Sequence, residues 1–158
     1  MQLTVRQRVM AFGKQYRAID GHGRQLYEIT SAILSPERRK EVHDMDGRLL
    51  AWCEWPVMTG HAEWECGTLR GGLEIPFMSF SPEWEMSPAG GDHYTMTGDM
   101  LRHNFTVQGP AGTVATIAKR FLAFTDTYEV ETIDTGFPME MALLLTALID
   151  HKYHSDNG

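Results

Sequence analysis

Apolar and polar positions alternate along most of the chain in short runs, and Gly or Pro separates one run from the next. Alternation with a period of two marks a strand with one buried face. The runs are rich in Val, Ile, Tyr, Phe, Trp and Thr, which suit a pleated surface. The pattern predicts twelve strands, near 3–11, 14–20, 24–33, 39–44, 48–55, 62–68, 73–79, 83–87, 92–98, 103–109, 113–121 and 126–132.

Three turns share one design: Asp20-Gly21-His22-Gly23, Asp44-Met45-Asp46-Gly47 and Gly109-Pro110-Ala111-Gly112. Asp at the first position bonds to the backbone just ahead of it. Pro at the second presets φ. Gly at the last takes a positive φ without a clashing Cβ. These read as hairpins.

The pattern also repeats. Sliding the chain by 24 residues lays Asp20 on Asp44, Leu26 on Leu50, Ile29 on Cys53, Ile33 on Val57 and Leu34 on Met58. A second motif runs FLAFTDTYEV at 121–130 and FMSFSPEWEM at 77–86, with VMAFGKQY at 9–16 as a looser copy. Each copy is an apolar strand end, a turn and the next strand. A repeated hairpin argues for a sheet that runs up and down and then closes, because open edges invite aggregation.

The pattern changes near the end. Residues 138–152, PMEMALLLTALIDHK, lose the period of two, and nine of the eleven residues from Met139 to Ile149 are apolar. Pro138 suits a first helical turn. Glu140 sits near the positive end of the helix dipole, and His151 and Lys152 near the negative end. A helix apolar all round needs burial on every side. Fifteen residues make about 22 Å of helix. That is too short for a membrane span and fits the bore of a closed barrel. The expected fold is mainly β: a closed twelve-stranded barrel around a hydrophobic C-terminal helix, one domain over 1–158.

Composition adds exclusions. A chain of 158 residues with 42% hydrophobic and 22% charged residues has the make-up of a folded domain. Its formal net charge of −7 argues against a nucleic-acid partner, which needs a basic face. Cys53 and Cys66 lack metal-ligand spacing and read as buried free thiols in a reducing compartment. The first residues lack the layout of a signal peptide. The expected location is cytoplasmic, with peripheral attachment to membranes as an option.

Few residues suggest chemistry. Asp44-x-Asp46-Gly47 has the start of a calcium loop, but Arg48 and Trp55 stand where further ligands belong, so a hairpin turn is the preferred reading. His61, Glu63 and Glu65 alternate onto one strand face, as solvent-facing residues do. Glu129 and Glu131 read as surface acids beside basic partners. No GxSxG elbow and no activated Cys occur. Neither an enzyme nor a cofactor is expected. The remaining candidates are two basic clusters, Arg38-Arg39-Lys40 and Lys119-Arg120. An anionic headgroup requires such cations to converge.

Several stretches resemble the LOR family, whose fold is shared with the tubby C-terminal domain and the phospholipid scramblases. They are LTVRQRVMAFGKQYRAID, DGHGRQLYEI, DMDGRLLAW, HNFTVQGPAGTVATIAKRFLAFTDTYEVETID and the apolar helix after them. The resemblance implies a twelve-stranded barrel around a hydrophobic helix. It also brings in lipid chemistry, since tubby domains bind phosphoinositides and scramblases are linked to lipid movement and calcium. The chain departs from the family pattern at Trp52, Trp55, Trp64 and Trp84 and in the SPERRKE and SPAGGD loops. Residues and resemblance together lead to a non-enzymatic binding module. Its ligand would be an anionic phospholipid or phosphoinositide headgroup, or a phosphorylated small molecule, at Arg38, Arg39, Lys40, Lys119 and Arg120. The alternative is a protein-interaction domain using the Trp-rich segment 52–66, which requires Trp64 to be exposed.

Overall fold

A computed structural model describes residues 1–10, 13–32, 37–56, 60–75, 83–89, 91–99, 103–122, 125–133 and 136–154. Twelve strands follow one another: β1 (Gln2–Met10), β2 (Gly13–Ile19), β3 (Gln25–Ala32), β4 (Glu37–Asp44), β5 (Leu49–Pro56), β6 (His61–Cys66), β7 (Leu69–Glu74), β8 (Glu83–Pro88), β9 (Tyr94–Asp99), β10 (Asn104–Gly109), β11 (Gly112–Leu122) and β12 (Thr125–Thr132). Each pairs antiparallel with its neighbours in sequence, and β12 pairs with β1, so the sheet is a closed barrel. Closure leaves no strand edge unpaired.

The two Asp-led turns are near copies. Asp20 Oδ1 accepts from the amides of His22 and Arg24 at 2.9 Å, and Asp44 Oδ1 accepts from those of Asp46 and Arg48 at 2.9 Å. Arg24 and Arg48 each donate Nε to the second oxygen of their Asp, at 2.9 and 2.8 Å. Gly23 and Gly47 follow with φ of 81° and 82°. These backbone bonds, more than the neighbouring guanidinium, hold both carboxyls below the usual carboxylate range. Both oxygens of Asp44 are thus occupied by the turn itself.

The helix α1 (Met139–Ile149) fills the bore and continues into a wider π-helical turn, Asp150–His154. Of its residues, all but Glu140 are buried. Inward side chains of the strands pack around it, among them Leu3, Val5, Ile29, Leu73, Phe105 and Ile117. Phe137 meets Tyr94 at 5.1 Å between ring centroids, and Tyr27 Oη donates to Glu140 Oε1 at 3.4 Å, so the helix begins at that rim. Cys53 and Cys66 are buried free thiols, and burial pushes both up to about 12.

One strand lies elsewhere than the pattern predicts. A strand near 73–79 is expected, but β7 spans Leu69–Glu74 and the turn before it falls at Gly67, with φ of 60°. Gly71 and Gly72 sit inside the strand because their neighbours occupy the Cβ space. At Gly71 a Cβ would lie 2.2 Å from the carbonyl oxygen of Ser87, and at Gly72 it would lie 2.9 Å from the His61 ring. Residues 76–79 of the expected strand lie outside the described residues.

Candidate functional site

At the far end of the helix the bore turns polar. Asp150 is fully buried, and Tyr16 Oη and Tyr128 Oη donate to its two carboxylate oxygens at 2.5 and 2.8 Å. Beyond it, Trp84 Nε1 donates to Tyr153 Oη at 3.1 Å, and Phe105 stacks on the Tyr153 ring at 6.1 Å. Tyr16, Trp84 and Tyr128 are the corresponding residues of the three repeat copies. The repeat therefore supplies one buried aromatic with a polar tip from each of β2, β8 and β12, and all three tips meet the last turn of the chain's helix. The Phe residues of those copies at 12, 77, 80 and 124 lie outside the described residues, as do the repeat positions 33, 34, 57 and 58.

The basic clusters divide by strand parity. Successive side chains point to opposite faces, so Lys40 goes inward and Arg39 outward. Lys40 is 4% exposed and donates Nζ to Ser31 Oγ at 2.5 Å. Arg38, on the same side as Lys40 but at the strand end, is exposed and donates to His151 Nε2 at 3.2 Å. Arg39 lies 4.6 Å over the Trp52 ring and pairs with Glu41 and Glu54 at 3.3 and 3.1 Å. Lys119 is 9% exposed and directly opposite Tyr128 in the strand register. Arg120 points outward and grips Glu129 through Nε and Nη2 at 3.0 and 2.7 Å. The five residues therefore do not form one site. Lys40 and Lys119 stand in the walls of the bore that holds Asp150, where a buried carboxylate needs cationic or hydrogen-bonding surroundings. Arg39 and Arg120 belong to the outer surface.

A third basic group was missed because its members are spread over the sequence. Arg6 of β1 faces Arg17 of β2 directly, and Arg6 faces Thr127 of β12, which faces Arg120 of β11. Arg17, Arg6 and Arg120 thus share one row on the outward face of the sheet, with Thr127, buried at 3% exposure, between Arg6 and Arg120. Arg8 is two residues further along the same face of β1. Glu28 stands opposite Arg17 on β3. Among the described residues, Arg6, Arg8 and Arg17 make no ion pair. The alternation of Arg in QLTVRQRVM was the available signal, but only the register shows that Arg17 and Arg120 extend it.

The Trp-rich segment behaves differently from its expectation. Trp64 is 4% exposed and donates Nε1 to the carbonyl of Gly72 at 2.9 Å, so it lacks the exposure that an interface there requires, although it lines the groove beside Trp52. Trp52 points outward and borders a shallow groove of about 420 Å³ with His61, Glu63, Glu65, Arg70 and Gly72. His61 and Glu74 are hydrogen-bonded across the strands. Among the described residues no three His, Cys, Asp or Glu side chains are grouped to hold a metal. Among them, too, no helix is long and apolar enough to cross a membrane.

A closed twelve-stranded antiparallel barrel threaded by a C-terminal helix defines the structural class. The model of the LURP-one-related (LOR) family matches residues 1–150, and the chain belongs to that family. An Arabidopsis thaliana protein solved by X-ray crystallography has a similar fold, with a TM-score of 0.57 and 10% sequence identity over 94% of this chain and 91% of that one. At that identity the likeness concerns the fold alone. No curated protein sequence matches the chain.

Proposed function

We propose that this chain is a non-enzymatic binding module that takes an anionic, phosphate-bearing ligand on the outside of its barrel. The helix occupies the bore, which leaves the outer wall as the recognition surface. The observation that carries the reading is the facing pair Arg6 and Arg17, without an ion pair among the described residues, in a chain of net charge −7. Like charges directly opposite on a sheet cost stability. Guanidinium groups in a row match phosphate oxygens with paired N–H donors. Arg120, paired with Glu129, stands at the end of the same row.

The test is co-sedimentation with vesicles of neutral lipid, phosphatidylglycerol or phosphoinositide at low and moderate salt, with inorganic phosphate and a soluble inositol phosphate as competitors. Binding to anionic vesicles alone, weakening as salt rises, is expected. Arg6→Ala with Arg17→Ala should lower it, by about 1 kcal/mol for each arginine at an anionic surface. Binding of the soluble inositol phosphate without binding to any vesicle would move the ligand from a lipid headgroup to a free phosphorylated molecule. Equal binding by the arginine variant would overturn the proposal.

A second reading, a protein-interaction surface on segment 52–66, is supported by the groove beside Trp52, which Trp64 lines from the inside at 4% exposure.

A further inference from the structure

Charge is sorted around this barrel. Strands β1 and β2 together carry three arginines and Lys14 and no Asp or Glu. Strands β6, β7 and β8 carry five glutamates, Glu63, Glu65, Glu74, Glu83 and Glu85, against one arginine, Arg70. All five glutamates are exposed, as are Arg6 and Arg8. Glu63, Glu65, Glu83 and Glu85 have no ion-pair partner among the described residues. In the closed ring β7 is six strands from β1 in either direction, so the basic and acidic walls lie on opposite sides.

We infer that the acidic wall of one copy docks the arginine row of the next. The occupant is settled by complementarity. The groove on the acidic wall sets Glu63 and Glu65 beside the outward face of Trp52. Trp52 already holds one guanidinium, that of Arg39, at 4.6 Å. Carboxylates flanking an indole face suit further arginines, which bind by charge and by cation–π contact. The arginine row of a second copy presents such groups at strand spacing, about 4.8 Å, and on the acidic wall Glu74 and Glu85 face each other across β7 and β8 at that same spacing. Two different walls make a head-to-tail contact, which propagates as an open chain instead of closing as a two-fold dimer. Because the closed sheet has no free edge, side chains alone make the contact, and salt controls it. The same contact covers Arg6 and Arg17, so self-association and an anionic ligand exclude each other there. The inference shares those arginines with the proposed function but does not rest on it.

The experiment is sedimentation velocity on the purified chain over a range of concentrations, at about 0.01 M and about 0.15 M ionic strength, between which the Debye length falls from about 30 to about 8 Å. The sedimentation coefficient should rise with concentration at low salt and lose that rise at higher salt. Arg6→Glu with Arg17→Glu should abolish the rise, and so should Glu63→Lys with Glu85→Lys. Mixing the two charge-reversed variants should restore association, which a folding defect in either would not. A monomer at every concentration at low salt would overturn the inference, as would association that ignores salt or the substitutions. The glutamate variant keeps the arginine row, so its vesicle binding reports on the proposed function separately. Vesicle binding without self-association defeats this inference and leaves that function standing.

Discussion

Tyr16 and Tyr128 hold the two oxygens of one carboxylate, that of Asp150, from the two strands that flank β1. The carboxylate belongs to the residue that ends α1, so these two hydroxyls tie the helix to the wall at its C-terminal end. Trp84 does the same for Tyr153 from β8. The repeated motif therefore does more than build hairpins. Its aromatic position gives the barrel three inward polar tips, and those tips set how far the helix slides into the bore.

The first prediction follows from that clamp. Tyr16→Phe and Tyr128→Phe should each cost about 1.5–3 kcal/mol, the range for hydrogen bonds to a charged group. The double variant should depart from the sum, because both hydroxyls serve one carboxylate. Urea midpoints for the four proteins of the cycle measure this. Strict additivity would mean that the two bonds act independently.

Leu144 lies in the bore with no exposed surface. Leu144→Ala should cost about 2–5 kcal/mol through lost burial and a cavity. Leu144→Asp should leave no folded protein, since a charge there has no partner. Near- and far-ultraviolet circular dichroism reads both. A folded, soluble Leu144→Asp variant would remove the helix from the bore.

The two thiols give a pH dependence. Burial pushes Cys53 and Cys66 up to about 12, against about 8.5 for a free thiol. Above pH 8.5 the unfolded chain loses thiol protons that the folded chain keeps, so the stability they contribute is complete below that pH and declines up to about pH 12. Denaturation midpoints should fall less steeply from pH 8.5 upward in a Cys53→Ala, Cys66→Ala protein than in the parent. Neither thiol should react with a disulfide reagent near pH 8 until the protein unfolds. Rapid labelling of the folded protein would contradict their burial.

The adjacent glycines of β7 should respond differently to a methyl group. Gly71→Ala drives a Cβ against the Ser87 carbonyl and the Pro88 backbone, at 2.2 and 2.7 Å, where only a strand shift gives relief. It should cost about 1–3 kcal/mol. Gly72→Ala meets the end of the exposed His61 ring at 2.9 Å, and the ring can swing away. Thermal melting of the two variants should separate them, with Gly71→Ala the lower.

Much of this architecture was present in local pattern. The period of two, the Asp-led turns and the apolar run after Pro138 each act through neighbours in sequence, so the strand count and the buried helix follow from them. β7 begins before the expected strand because Gly71 and Gly72 are poor strand formers by themselves, while the close neighbours that require glycine there come from β6 and β8. An interface on segment 52–66 requires Trp64 to be exposed. The parity of Trp64 with Ala62 and Cys66 puts it inward, as the register confirms. Lys40 and Arg39 are neighbours in sequence but sit on opposite sides of the wall, which the same parity explains.

The sequence by itself determined the elements and their closure, because propensity, turn chemistry and hydrophobic period are local and agree with one another. Only the tertiary structure decided which charges meet. Arg6, Arg17 and Arg120 come from three strands and become one row solely through register and ring order. The acidic wall lies opposite that row because β1 and β7 are half a ring apart. The Tyr16–Asp150–Tyr128 clamp is likewise a product of closure, which brings the first strands, the last strand and the end of the helix to one place.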